Sequence, residues 1–241
     1  MKTKIITCIY SDIYGTELGG RESRKDHYRF SLLSLLKMSD ADFVCYTSNR
    51  EKNDLENFFY TQHNIDRNKI EFIVFDLQST KHKDLILKYK NIEKTKKSDR
   101  CVEIQYSKLN WFENEDKTYD YYFWFDSGLS HTGIIPNKYL SSEGYRGYFE
   151  SSLFNNKFLQ NLINFCEDKF VVISKDNVRN FWDGTVNEKF YTKYDNSLHV
   201  IGGMFGGKTE LWETIINKFN NYLVEITNNE IINFLQEKQG P

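Results

Sequence analysis

Tyr121-Tyr-Phe-Trp-Phe-Asp126-Ser-Gly128-Leu-Ser-His131 is the stretch on which the reading of this chain turns. The bulky apolar run before Asp126 is short and aromatic, which suits a strand covered on both faces, as strands of parallel sheets are. It delivers one carboxylate, Asp126, and then turns at Gly128. Ligands of open α/β sheets gather at the carboxyl ends of the strands, so Asp126 stands where a binding group is expected. A hard cation such as Mg²⁺ or Mn²⁺ seeks oxygen ligands beside substrate phosphates, and a strand-end carboxylate is a usual partner. An Asp that only caps the turn gives the same local pattern.

Upstream of that strand, β-rich and helical stretches alternate. Lys4 to Tyr10 reads as a first strand, followed by a turn-prone loop from Ser11 to Gly20. Tyr28, Leu32, Leu35 and Leu36 have helical spacing within Lys25 to Met38, and Asp42 to Thr47 reads as a second strand. Glu51 to Tyr60 is a helix, Lys69 to Asp76 a third strand, and two helices around Lys83 to Lys94 and Val102 to Phe112 lead back to the Asp126 strand. This alternation predicts an α/β fold with a mostly parallel central sheet flanked by helices. The second half is less regular. A helix from Asn155 to Cys166, a strand from Phe170 to Ser174 and an aromatic, polar loop from Asn177 to Asn196 precede a short strand at Leu198 to Ile201. Helices at Glu210 to Tyr222 and Asn228 to Gln236 close the chain.

The second informative stretch is Leu198-His199-Val-Ile-Gly202-Gly203-Met-Phe-Gly206-Gly207-Lys208-Thr209. Four glycines in six residues let backbone approach a ligand or another backbone closely. Gly202, Gly203, Gly206 and Gly207 therefore read as a wall of the substrate pocket, with a β-bulge or tight corner as the structural alternative. Residues 202–209 also match GxxxxGK[ST], the phosphate-cradling P-loop of kinases and nucleotide hydrolases. Only 32 residues follow Thr209, too few for the rest of a nucleotide-hydrolysing sheet. His199 is a candidate metal ligand, and an ordinary core histidine fits as well.

At 241 residues the chain suffices for one large domain. A net charge of −2 provides no positive field for nucleic acid, and none is expected as a partner. Cys8, Cys45, Cys101 and Cys166 form no CxxC pair and read as buried free thiols. No apolar run reaches the ~18 residues of a membrane span. The expectation is a cytoplasmic protein, meeting the inner membrane only peripherally.

Taken together, the FWFDSGLSH and IGGMFGG stretches, in this order and separation, resemble the bacterial HtrL/YibB-type glycosyltransferase-like proteins. The opening strand and its arginine-bearing loop fit as well, so the similarity spans roughly residues 4 to 235. The resemblance implies a GT-A-like single domain over residues 1–241, with a donor-binding half at about 1–131 and an acceptor-binding half at about 132–241. It implies transfer of a sugar from a nucleotide-sugar, a UDP-sugar foremost, to a glycan or other acceptor hydroxyl in bacterial surface glycan (lipopolysaccharide) synthesis. A divalent ion, Mn²⁺ or Mg²⁺, would bridge the donor diphosphate to Asp126, which matches the first Asp of a DxD motif. Gly128 replaces the second.

Lys108 matches the family's lysine ahead of the acidic strand and would neutralise the leaving diphosphate, although a surface helix lysine fits equally. Tyr10, at the end of the first strand, and Arg21 and Arg24 in the following loop are further donor contacts, the arginines as phosphate ligands. Gly128 to His131 adds to the pocket wall. A general base on the acceptor hydroxyl would come from Asp183, Glu188 or Glu230, and Trp182 could stack on a sugar face. Two rivals remain: a P-loop kinase or NTPase, and a non-catalytic sugar-nucleotide binding module.

Overall fold

A computed structural model of the chain describes residues 1–11, 23–84, 86–87, 99–128, 155–174 and 200–227. Six strands form one mixed sheet. They are β1 (Thr3–Ile9), β2 (Ala41–Thr47), β3 (Ile70–Val74), β4 (Tyr121–Phe125), β5 (Val171–Ser174) and β6 (Val200–Lys208), in the spatial order β3-β2-β1-β4-β6-β5. β1 pairs in parallel with β2 and with β4, and β2 in parallel with β3. β6 runs antiparallel to both β4 and β5.

The described helices are α1 (Ser23–Leu35), α2 (Asn49–Glu56), α3 (Asp99–Asn110), α4 (Asn156–Cys166) and α5 (Thr209–Thr227). α2 continues into a π-helical turn over Asn57–Gln62, and α3 into a 3₁₀ turn over Trp111–Asn114. Among the described residues no helix is long and apolar enough to cross a membrane.

β4 shows why this sequence makes a sheet with two covered faces. All five of its residues are buried, and successive side chains point to opposite faces. Tyr121, Phe123 and Phe125 join a core with Leu32 and Leu35 of α1, Leu55 of α2 and Leu159 and Leu162 of α4. Tyr122 and Trp124 join a second core with Ile104 of α3, Trp111 and Phe112 of the 3₁₀ turn, and Trp212 and Ile216 of α5. Three layers result, with α1, α2 and α4 on one face and α3 and α5 on the other. A strand apolar at every position has no other stable place, because either face turned to water would expose aromatic rings.

The chain leaves β1 to one side, building β2 and β3, and returns on the other side as β4. The direction of winding therefore reverses between β1 and β4, and the crevice at their carboxyl ends is the topological switch point of the sheet. Tyr10, Ser11 and Asp126 lie at that end.

β6 overturns the expectation for the glycine cluster. The sequence pattern predicts a short strand at Leu198 to Ile201 that ends before the glycines; the strand instead runs through them to Lys208. Residues 202–208 are extended sheet, with Met204 opposite Phe125 and Lys208 opposite Tyr121. A P-loop needs a compact turn between strand and helix, with backbone N–H groups converging on phosphate. Here the backbone groups belong to a sheet ladder, and Lys208 stands at the amino end of β4, away from Asp126. The P-loop reading is incompatible with this arrangement.

Candidate functional site

Asp126 follows β4 directly, and its backbone N–H donates to the Gly203 carbonyl at 2.7 Å, so the last rung of the β4–β6 ladder aims it. Its side chain is 34% exposed, open enough for a ligand to reach. One carboxylate oxygen, Oδ1, is already engaged: it accepts from Lys108 Nζ at 2.6 Å and from Trp124 Nε1 at 2.8 Å. Lys108 lies in the last turn of α3, and its ammonium stands 5.1 Å from the centre of the Trp124 ring. Three residues of three kinds, an acid, a base and an aromatic, thus lock one another in place.

The turn after Asp126 is tied down as well. Ser127 is buried, and its hydroxyl donates to the Cys8 carbonyl at 2.7 Å, joining the end of β4 to the end of β1 across the switch point. Cys8 itself is no nucleophile. Burial pushes its thiol far above the ordinary range, with Lys108 opposing the shift less strongly, so it stays protonated at neutral pH.

On the other side of β1, Glu51 in the first turn of α2 is buried. Its carboxylate accepts from the Ser11 backbone N–H at 2.8 Å and also from the Ser11 hydroxyl. This clamp holds the start of the segment leaving β1, two residues past its end. Sequence reasoning passed over Glu51, although Ser48-x-x-Glu51 has the spacing of a capping box, which would spend the glutamate on its own helix. Ser48 makes no side-chain cap bond, and the acid is turned to Ser11. Only the proximity of β1 and α2 reveals that use.

Of the other expected site residues, Lys108, Gly128, Gly202 and Gly203 fall at or beside this end of the sheet. β5 pairs with Ile201 and then with Phe205, so residues 202–204 bulge out of the β5 ladder beside Asp126. The bulge weighed as the structural alternative for the glycines is present there. Gly206 and Gly207 are different, and their assignment to the pocket wall is corrected. A Cβ on Gly206 would meet Tyr122 O at 2.4 Å and Phe123 Cδ1 at 2.6 Å, and one on Gly207 would meet Lys169 O at 2.8 Å. These two glycines admit neighbouring strands, not substrate.

Tyr10 is corrected too. It is 2% exposed, stacks on Trp111 with centroids 6.2 Å apart, and donates its hydroxyl to Phe75 O at 3.0 Å, so it is core. Arg21, His131, Trp182, Asp183, Glu188, His199 and Glu230 lie outside the described residues, as does the side chain of Arg24.

The described residues do not suit a protein-held Mg²⁺ or Mn²⁺. Among them no three Asp, Glu, His or Cys side chains converge on a common point. Asp126 is the one carboxylate at the turn, Gly128 contributes no side chain, the Ser127 hydroxyl is committed to Cys8, and a lysine ammonium already sits on Oδ1. A cleft of about 520 Å³ bordered by Lys2, Asp40, Asp42, Tyr119 and Asn156 opens at the opposite, amino end of the strands and shares none of this chemistry.

No family model matches the chain, and no curated protein matches it in sequence, so the HtrL/YibB likeness stays a resemblance. Two solved structures overlap it loosely. Mouse xyloside xylosyltransferase 1 in its apo form superposes over 99% of this chain and 76% of its own, at 9% identity and a TM-score of 0.49. The 4-diphosphocytidyl-2C-methyl-D-erythritol synthase of Anaerococcus prevotii covers 93% of this chain and 75% of its own, at 14% identity and a TM-score of 0.46. Overlaps this loose assign neither family nor substrate.

Proposed function

We propose that the chain is a GT-A-like glycosyltransferase that binds a nucleotide-sugar at the carboxyl ends of β1 and β4 and moves its sugar to an acceptor hydroxyl. The observation that carries this reading is the Lys108–Asp126 pair at 2.6 Å, with the carboxylate partly open to solvent, at the switch point of the sheet. That is where doubly wound sheets bind nucleotides. Sugar transfer develops negative charge on the departing diphosphate, and a fixed ammonium in a partly desolvated crevice stabilises charge of that kind.

The Ser127–Cys8 and Glu51–Ser11 bonds supply the rigidity such a site needs, since a binding group held only by a loop would lose geometry with every loop motion. The donor is proposed as a UDP-sugar and the setting as surface glycan synthesis, both on the strength of the sequence resemblance. Asp183 and Glu230 remain the proposed general bases, and Arg21, Arg24, His131 and Trp182 the proposed substrate contacts.

The test is release of nucleotide from a panel of UDP-, GDP- and CMP-sugars by the purified chain, with mixed glycan acceptors, repeated with Asp126→Asn. One donor should turn over, and Asp126→Asn should lower the rate by about 100-fold, the usual effect of losing a group that holds the charge-stabilising apparatus. Tight donor binding with no nucleotide release from any pairing would assign the site to a sugar-nucleotide binding module instead. Turnover undiminished in Asp126→Asn would remove this crevice from the reaction.

A further inference from the structure

We propose that Lys108 is itself the cation of this site, held by Asp126 for the donor diphosphate in the place a divalent metal would take. The inference rests on the transferase reading above, and changes what Asp126 is for: it is a positioning residue that orients Lys108, not a metal ligand.

Three observations converge. The ammonium is 2.6 Å from Oδ1, the distance of a charge-assisted hydrogen bond and shorter than a loose surface ion pair requires. The same oxygen accepts from Trp124 Nε1 at 2.8 Å, so its lone pairs are directed at two donors already. The lysine stem is buried, with 13% side-chain exposure, and the ammonium lies over the Trp124 ring face, where the ring quadrupole attracts a cation.

A dication placed on Asp126 would face that ammonium as a like charge, and either Lys108 would have to leave or the metal would bind weakly. Among the described residues of the turn nothing compensates: Gly128 lacks the second carboxylate, and Ser127 spends its hydroxyl on Cys8 O. An ammonium, by contrast, is an ordinary phosphate ligand. During transfer the bond from the anomeric carbon to the diphosphate oxygen breaks, the acceptor oxygen bonds to that carbon and gives its proton to the proposed base, Asp183 or Glu230, and the electron pair departs on the diphosphate, next to Lys108.

The experiment measures UDP, GDP and CDP binding by calorimetry and by thermal shift on the full chain, in EDTA and in added MnCl₂, with Lys108→Met and Lys108→Arg beside wild type. At least one nucleoside diphosphate should bind wild type equally in EDTA and in Mn²⁺. Lys108→Met should weaken it about 10- to 100-fold, the scale of one charged hydrogen bond, and Lys108→Arg should restore most of that loss. Binding that requires Mn²⁺, or binding by Lys108→Met within about twofold of wild type, overturns the proposal. The metal arms need no variant, so they decide the question even if Lys108→Met does not fold. No binding of any diphosphate, with or without metal, refutes the transferase reading itself and this inference with it, and that pattern differs from the metal-requiring one.

Discussion

Gly206→Ala separates a structural glycine from a pocket glycine. Gly206 lies in β6 opposite Phe123, at φ +154°, a value L-residues rarely adopt. The added methyl carbon would stand 2.4 Å from Tyr122 O, 2.6 Å from Phe123 Cδ1 and 2.7 Å from Phe123 Cα. Two of those three atoms are backbone of a fully buried strand with neighbours on both sides, so no rotamer change relieves the clash. Overpacking a tight core costs about 1–3 kcal/mol. Holding a non-glycine residue in a sparsely populated backbone region costs about 1–3 kcal/mol more. Their sum centres on about 4 kcal/mol, which for a domain of this size is a fall of roughly 8–16 °C in the unfolding midpoint. Circular dichroism melts of wild type, Gly206→Ala and Gly207→Ala measure it. Gly207→Ala meets one close backbone atom, Lys169 O at 2.8 Å, and should fall by less. If Gly206→Ala melts within about 2 °C of wild type yet loses donor binding, the glycine lines the pocket and the packing argument is wrong.

Two further outcomes follow from the charges. Lys4 Nζ lies 2.6 Å from Glu115 Oε2, with side-chain exposures of 12% and 2%, and Tyr46 donates to the other carboxylate oxygen at 2.6 Å. Lys4→Met strands a buried carboxylate and should cost about 3–5 kcal/mol. Lys4→Met with Glu115→Gln should recover much of it in a double-mutant cycle; additive losses would show that the pair is not coupled. Asp54 is bonded by Lys25 Nζ at 2.6 Å and approached by Arg29 at 3.3 Å, which hold its carboxyl below the ordinary aspartate range. A depressed folded value means that its stabilisation is present above about pH 4 and lost as pH falls through the folded value. Carboxyl-carbon NMR should place the Asp54 midpoint low, and Lys25→Ala should raise it; an unmoved midpoint would discard Lys25 as the cause. The gain stays small, because Asp54 is exposed and screened.

Legibility followed the range of the interactions. The Asp126 strand, the alternation before it and the helix at Asn156–Cys166 were readable because each is decided by a local pattern: a doubly apolar run, a period, a cap. Asn155, read as the start of that helix, accepts from Phe158 N at 2.9 Å as an N-cap should. The glycines misled for the opposite reason. A glycine in a sequence says that backbone comes close to something, and only the register of β4 against β6 says that the something is Tyr122 and Phe123.

The same division holds for the site. The sequence by itself determined that a mostly parallel α/β sheet forms and that a carboxylate stands at the end of its most aromatic strand, because periodicity and burial on both faces are properties of consecutive residues. Only the tertiary structure decided that Asp126 meets Lys108, that Glu51 reaches Ser11, and that Tyr10 is core. Those pairings join residues 18 and 40 positions apart, and in Tyr10 a hydroxyl and a carbonyl 65 apart. Hydrogen bonds and ion pairs act over a few ångströms in space, and which residues come that close is set by the order in which the strands assemble, not by their spacing along the chain.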